Sequence, residues 1–176
     1  LNSLAAIASG LALGAKFDGL ARGLAAFSGT ERRFQRLGDV RGVTVVDDYA
    51  HHPTEIRATL EMFLALYGPP LPVVFQPHLY SRTAHFADSF AEALRPATRV
   101  YVTDVYAARE QPMPGVSGRM IVERMAGHPS AQFVPRWQDL VPRFAAGEAP
   151  RNVLLTLGAG DITGLGPAVL KAGARR

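Results

Sequence analysis

Val43-Thr44-Val45-Val46 runs directly into Asp47-Asp48-Tyr49-Ala50-His51-His52 and then Pro53-Thr54-Glu55-Ile56, and the reading of this passage decides the fold class. The first four residues are apolar or β-branched without alternation, as in a strand buried on both faces. The last four open a helix. Proline suits a first helical turn, and Ile56, Leu60, Phe63, Leu64 and Tyr67 fall on one stripe. Between strand and helix stands a loop of carboxylates, a phenol and two imidazoles.

The same alternation repeats outward from this unit. Strands are expected over residues 33–37, 43–46, 72–76, 99–103, 132–134 and 152–157. Helices are expected over 53–67, 84–94, 117–125, 138–145 and 162–172, with a turn at 158–161. Near-continuous apolar strands alternating with helices mean an α/β domain with a mostly parallel sheet flanked by helices. Upstream the pattern differs. Residues 2–13 and 17–27 read as two helices, the first ending at Gly14 and the second carrying Phe17, Leu20, Leu24 and Phe27. A polar connector over residues 28–33 follows. The chain opens at Leu1 inside a helical pattern, without an initiator Met, so a piece of a longer protein is expected.

Composition narrows the function classes. The 176 residues are 48% hydrophobic and 19% charged, which excludes a disordered chain. No cysteine is present, so disulfides, thiolate zinc sites and cysteine nucleophiles are excluded. Nineteen basic residues against 15 acidic give a net charge of +4, and lysine occurs only at Lys16 and Lys171. The excess is therefore almost all arginine, whose planar fork suits carboxylates and phosphates. An anionic small molecule explains this balance as well as nucleic acid does. No run reaches the ~18 apolar residues that a membrane span requires. The apolar start has no basic segment before it, so no signal peptide is expected.

In parallel α/β sheets ligands bind outside the carboxyl ends of the strands, and the polar residues collect there. Asp47 to His52 follow the second strand, and Gln76-Pro77-His78-Leu79-Tyr80-Ser81-Arg82-Thr83 the third. Asp104, Tyr106 and Glu110 follow the fourth, and Gly158-Ala159-Gly160-Asp161 the last. Asp48 stands where ribose hydroxyls are held in nucleotide folds; the competing reading is a carboxylate facing the positive end of the Pro53 helix. His51 and His52 beside that helix start favour the neutral imidazole, and one of them is expected to pack. A zinc site from His51, His52 and His78 is disfavoured, because adjacent side chains diverge. Arg82 is a candidate fork for a carboxylate or phosphate, or else a surface arginine on the same loop as His78. Arg32 and Arg33 are either solvated or reach an anion held between domains. Asp104, Glu110 and Asp161 read as caps or surface charges. No G-x-G-x-x-G and no G-x-x-x-x-G-K-[ST] is present.

Taken in order the loops are more specific than any one of them. Gly29-Thr30-Glu31-Arg32-Arg33-Phe34, Val46 through Ile56, Val74 through Thr83, and Leu155-Thr156-Leu157-Gly158-Ala159-Gly160-Asp161-Ile162 resemble the C-terminal part of the Mur ligase family. Among its members they look most like those that join L-alanine to UDP-N-acetylmuramate. Leu1-Asn2-Ser3-Leu4-Ala5-Ala6 looks like the end of the central ATP-binding domain. The resemblance implies that residues 1–32 are the C-terminal helices of that domain and residues 33–176 a Rossmann-like C-terminal domain. It implies a cytoplasmic, ATP-dependent, amide-forming enzyme of peptidoglycan synthesis working through an acyl phosphate. ATP and Mg²⁺ are the implied cofactors, the metal held mainly by domains outside this chain. The implied partners are UDP-N-acetylmuramate, L-alanine and the N-terminal and central domains, with neither nucleic acid nor membrane.

By the same resemblance His51, His78 and Arg82 hold the amino acid and the phosphate end of the acyl phosphate. Asn2, Arg33, Asp48 and Tyr49 contact the nucleotide, Asn2 at adenine and Asp48 at ribose. One position departs: the family usually has arginine after Gln-Pro-His, and here stands Leu79. Without the phosphate loop of the central domain, the chain alone is expected to be inactive. The alternatives are a related ligase that recycles murein peptides, a non-catalytic nucleotide-binding module, and a basic nucleic-acid binder.

Overall fold

The structure, a computed structural model, describes residues 2–148 and 153–174. The chain divides into one unit at Leu1–Thr30 and another at Glu31–Arg176. In the first unit, helix α1 (Asn2–Ala12) turns at Gly14 into α2 (Phe17–Ala25). Gly14 takes φ +85°, and the Ala15 N–H reaches back to the Gly10 carbonyl at 2.9 Å, closing the helix end in a Schellman turn. Neither helix buries a residue, and Leu4, Leu13, Phe17 and Phe27 are each more than half exposed.

The second unit is a six-stranded sheet in the order β1-β2-β6-β3-β4-β5. Its strands are β1 (Gln35–Val40), β2 (Val43–Asp48), β3 (Pro72–Phe75), β4 (Arg99–Val102), β5 (Ala131–Phe133) and β6 (Val153–Leu157). Only β1 runs antiparallel, joined to β2 by Arg41 and Gly42, both at positive φ. That is the mirror-image turn whose twist matches a tight hairpin. The mostly parallel, helix-flanked sheet is the expected architecture. One face is covered by α3 (Pro53–Tyr67), α4 (Tyr80–Leu94) and α5 (Arg119–Arg124), whose Ile56, Leu60, Phe63, Phe90 and Ile121 are fully buried. The other face is covered by α6 (Val141–Ala145) and α7 (Leu165–Gly173), with Phe144, Leu165 and Val169 buried. Burying each such side chain contributes about 1.5–3 kcal/mol. Two-sided burial explains the unbroken apolar strands.

Several boundaries differ from expectation, each for a local reason. β1 begins two residues late and continues through Gly38, because the register shifts between Arg36 and Gly38; the glycine makes a bulge instead of a break. The helix expected from residue 84 begins at Tyr80, which moves Arg82 from a loop to the first turn of α4. Helix α5 is shorter than expected, and a 3-10 turn at Trp137–Leu140 precedes α6, where Pro142 sits in the first turn. A second 3-10 turn, Asp161–Gly164, precedes α7. Tyr67 is 44% exposed rather than buried, although its ring stacks on Phe63 at 5.4 Å. Asn152, placed in the last strand by its apolar neighbours, lies outside the described residues. Among those residues no helix is long and apolar enough to cross a membrane.

Candidate active site

Parallel pairing puts the ends of β2, β6, β3 and β4 side by side, and main-chain bonds tie their loops together. The Gly158 N–H donates to the Asp48 carbonyl at 3.2 Å and the Gln76 N–H to the Leu157 carbonyl at 2.9 Å. The Tyr106 N–H donates to the Pro77 carbonyl at 2.8 Å, and the Tyr106 carbonyl accepts from the Leu79 N–H at 3.0 Å. A ladder of rings follows: Tyr49 to His51 at 5.1 Å, His51 to His78 at 5.8 Å, and His78 to Tyr106 at 5.8 Å between centroids. Three loops far apart in sequence therefore meet at one sheet edge.

His51 faces two pure acceptors with Nδ1: the Tyr49 carbonyl at 3.1 Å and Glu55 Oε2 at 3.3 Å. Nδ1 therefore carries a proton, leaving Nε2 as the other functional atom. His52 is the packing member of the pair. It caps α3 by accepting from the Thr54 N–H, and its ring packs edge-on to Phe86 with the centroids 5.0 Å apart. The Glu55 carboxylate accepts from the amides of both histidines. Burial alone would raise it, but these amides and the nearby His51 and Arg33 charges hold it below the usual range.

His78 and Arg82 carry the unsolved valences of the rim. His78 Nδ1 and Arg82 Nη1 are both buried and without a hydrogen-bond partner in the protein. A buried polar atom left unpaired costs about 1–3 kcal/mol, so such a pair marks a place kept for something else. Burial, the Arg82 charge and then His51 lower the His78 pKa, favouring neutral imidazole. Arg33 lies 5.5 Å from the centre of the Tyr49 ring.

Asp48 sits at the expected strand end but is only 4% exposed. One carboxylate oxygen accepts from the Phe34 N–H at 2.8 Å and the other from the Ala50 N–H at 2.8 Å. In this geometry it shapes the loop that carries Tyr49 and His51 rather than offering a free carboxylate to solvent. Arg32 is partly buried, its guanidinium turned to the protein. It donates to buried Asp47 at 3.1 Å and to the Gly158 carbonyl at 2.6 Å. Asn2 lies in the first turn of α1, in the other unit, lining a groove of about 350 Å³ with Ala6, Leu24 and Phe27.

Gln76, Tyr106 and Glu110, placed after strand ends by the sequence, hold the rim together through pairings the sequence did not disclose. Gln76 is buried; its amide donates to Asp161 and accepts from the Ile162 N–H at 3.0 Å, clamping the turn after β6. Glu110, readable as a cap or a surface charge, is a cap: it accepts from Ser81 in the first turn of α4. The only signal available was their place after strand ends.

Comparisons with known proteins agree with this architecture. Residues 32–160 match the family model described as "Mur ligase, glutamate ligase domain". The UDP-N-acetylmuramate–L-alanine ligase of Mycobacteroides abscessus is 47% identical over 98% of this chain and 36% of its own length. This chain thus spans about a third of the curated relatives it matches. The crystal structure of UDP-N-acetylmuramate-alanine ligase MurC from Thermotoga maritima superposes with a TM-score of 0.74 at 29% identity, over 99% of this chain and 37% of that one. A murein peptide ligase from Psychrobacter arcticus superposes at 0.69 over 99% of this chain and 36% of its own; at 23% identity it speaks for the fold alone.

Proposed function

The chain belongs to the Mur ligase family, and from that membership we propose that it is the C-terminal domain of an ATP-dependent ligase joining L-alanine to UDP-N-acetylmuramate. ATP would supply the γ-phosphoryl group, and Mg²⁺ would be held mainly by the central domain. The sugar's lactyl carboxylate takes the phosphoryl group, releasing ADP. The unprotonated amine of L-alanine then attacks the acyl carbon, and the tetrahedral intermediate expels phosphate to leave an amide. Such a transfer needs positioning and neutralised charge more than covalent help from protein groups.

The observation that carries the reading is the pair of unpartnered buried atoms, His78 Nδ1 and Arg82 Nη1, on a rim with His51. An anion accepting from Arg82 Nη1 would satisfy that donor and fits the local positive charge. Neutral His78 can accept the proton that the alanine ammonium must lose. Arg33 and Tyr49 present a cationic and aromatic face for the nucleotide; Asp48 holds that loop in place. By the family's pattern, Asn2 is assigned to adenine. The chain contains no G-x-x-x-x-G-K-[ST] phosphate loop, so alone it binds or docks without turnover.

The full-length ligase tests the chemistry. With ATP and UDP-N-acetylmuramate, hydroxylamine in place of L-alanine should divert the acyl phosphate to a hydroxamate; no hydroxamate alongside normal amide synthesis contradicts the intermediate. The pH profile tests His78. Protonation removes its lone pair, so kcat/KM for L-alanine should fall as pH drops through a pKa below the ordinary 6.5. A limb at or above that value speaks against neutral His78 as the acceptor. Leu79 adopts φ +71° just before α4, next to His78. Leu79→Arg should lower the KM for L-alanine about tenfold by adding a charge-assisted bond to its carboxylate. An unchanged KM places that carboxylate elsewhere.

A further inference from the structure

The loop after β4 contributes no residue to the proposed chemistry, yet it is fastened to the rim at three points. Tyr106 pairs with the backbone on both sides of His78. Its ring lies within 20° of parallel to the His78 ring. It also fills the space beside Gly160, where an added Cβ would stand 2.5 Å from Tyr106 Cγ. Only glycine at that position lets the ring approach.

The third fastening is Glu110. Its carboxylate accepts from the Ser81 N–H at 2.9 Å and from the Ser81 hydroxyl. Ser81 is the second residue of α4, whose N-cap, Leu79, has no side chain able to cap. A residue 29 positions away thus supplies the missing cap. Arg82 is the next residue along the helix. Between Tyr106 and Glu110, Ala108 is held at φ +51°, a conformation that costs a non-glycine residue about 1–3 kcal/mol and persists only where surroundings enforce it.

We propose that Glu110 is a positioning residue: by tying the β4 loop to the first turn of α4, it fixes Tyr106 against His78 and sets His78 and Arg82 to receive the amino-acid substrate. The inference rests on the ligase reading of the rim. Glu110 touches no substrate in this account; it acts through Ser81 and Tyr106. A cap that merely stabilised α4 would lower melting temperature without changing recognition.

Kinetics of the full-length ligase separate these roles. Glu110→Ala should raise the KM for L-alanine about tenfold with kcat changed less than about twofold. Glu110→Gln should restore KM, because its amide oxygen can accept from the Ser81 N–H while its NH₂ donates to the hydroxyl. Ser81→Ala should add little to Glu110→Ala, since the hydroxyl bond it removes is already lost with the carboxylate. An unchanged KM in Glu110→Ala overturns the inference. So does an equal rise in the Ala and Gln variants, or a loss of melting temperature with KM intact. Arg82→Ala in the same assay separates the two levels. Normal kinetics there sink the ligase reading of the rim; a crippled Arg82→Ala beside a normal Glu110→Ala sinks only the role of Glu110.

Discussion

Replacing Arg82 by alanine in the full-length ligase is expected to cut kcat/KM for L-alanine by about two orders of magnitude, the usual scale of a lost positioning contact. The reason is local. Arg82 Nη1 is buried without a partner, so the free enzyme already bears the cost of keeping it there. The substrate or the nascent acyl phosphate recovers that cost by accepting its hydrogen bond. The variant should fold normally, because this donor holds nothing in the protein. Arg82→Lys should recover little, since one ammonium cannot reproduce a planar fork. Amide synthesis within about threefold of wild type in Arg82→Ala would remove the residue from the site.

The second large effect is on stability. Asp47 is 1% exposed and accepts from Arg32 Nε and from the hydroxyls of Thr156 and Thr163, both on the β6 side of the sheet. Asp47→Ala leaves a partly buried guanidinium without its counter-charge and the Thr163 hydroxyl without its acceptor, while the Thr156 hydroxyl keeps only the Val46 carbonyl at 3.3 Å. Breaking one partner of such a pair costs about 3–5 kcal/mol, a large share of the 5–15 kcal/mol that typically holds a domain. The melting temperature should fall by about 10 °C. Asp47→Asn, which keeps an acceptor but loses the charge, should fall less. A melting temperature within about 2 °C of wild type in Asp47→Ala would show that the network contributes little.

These two predictions also mark what the sequence could and could not disclose. The parallel sheet was legible, because strands buried on both faces, such as Pro72–Phe75, read as unbroken apolar runs. The convergence of His51 and His78 was legible through the rule that loops at the carboxyl ends of parallel strands share an edge. The start of α4 was not. It depends on Leu79 at positive φ and on a cap delivered by Glu110, and neither leaves a local trace. The inward turn of Asp48 was equally hidden, because one of its two amide partners is Phe34, 14 positions earlier. Arg32 reads equally as solvated or as reaching an anion between domains, and only the fold brings the Gly158 carbonyl within its reach, 126 positions away. Long-range pairing of polar groups is set by topology, and periodicity carries no signal for it.

The proposed chemistry requires the rim to be an anion site. The most direct measurement is a crystal structure of the full-length ligase with ADP, UDP-N-acetylmuramate, L-alanine and a phosphate mimic. The expected result is a carboxylate or phosphate oxygen within hydrogen-bond distance of Arg82 Nη1, with the His78 ring against the same ligand. Ligands bound elsewhere, with His78 and Arg82 still buried and unpaired, would contradict it.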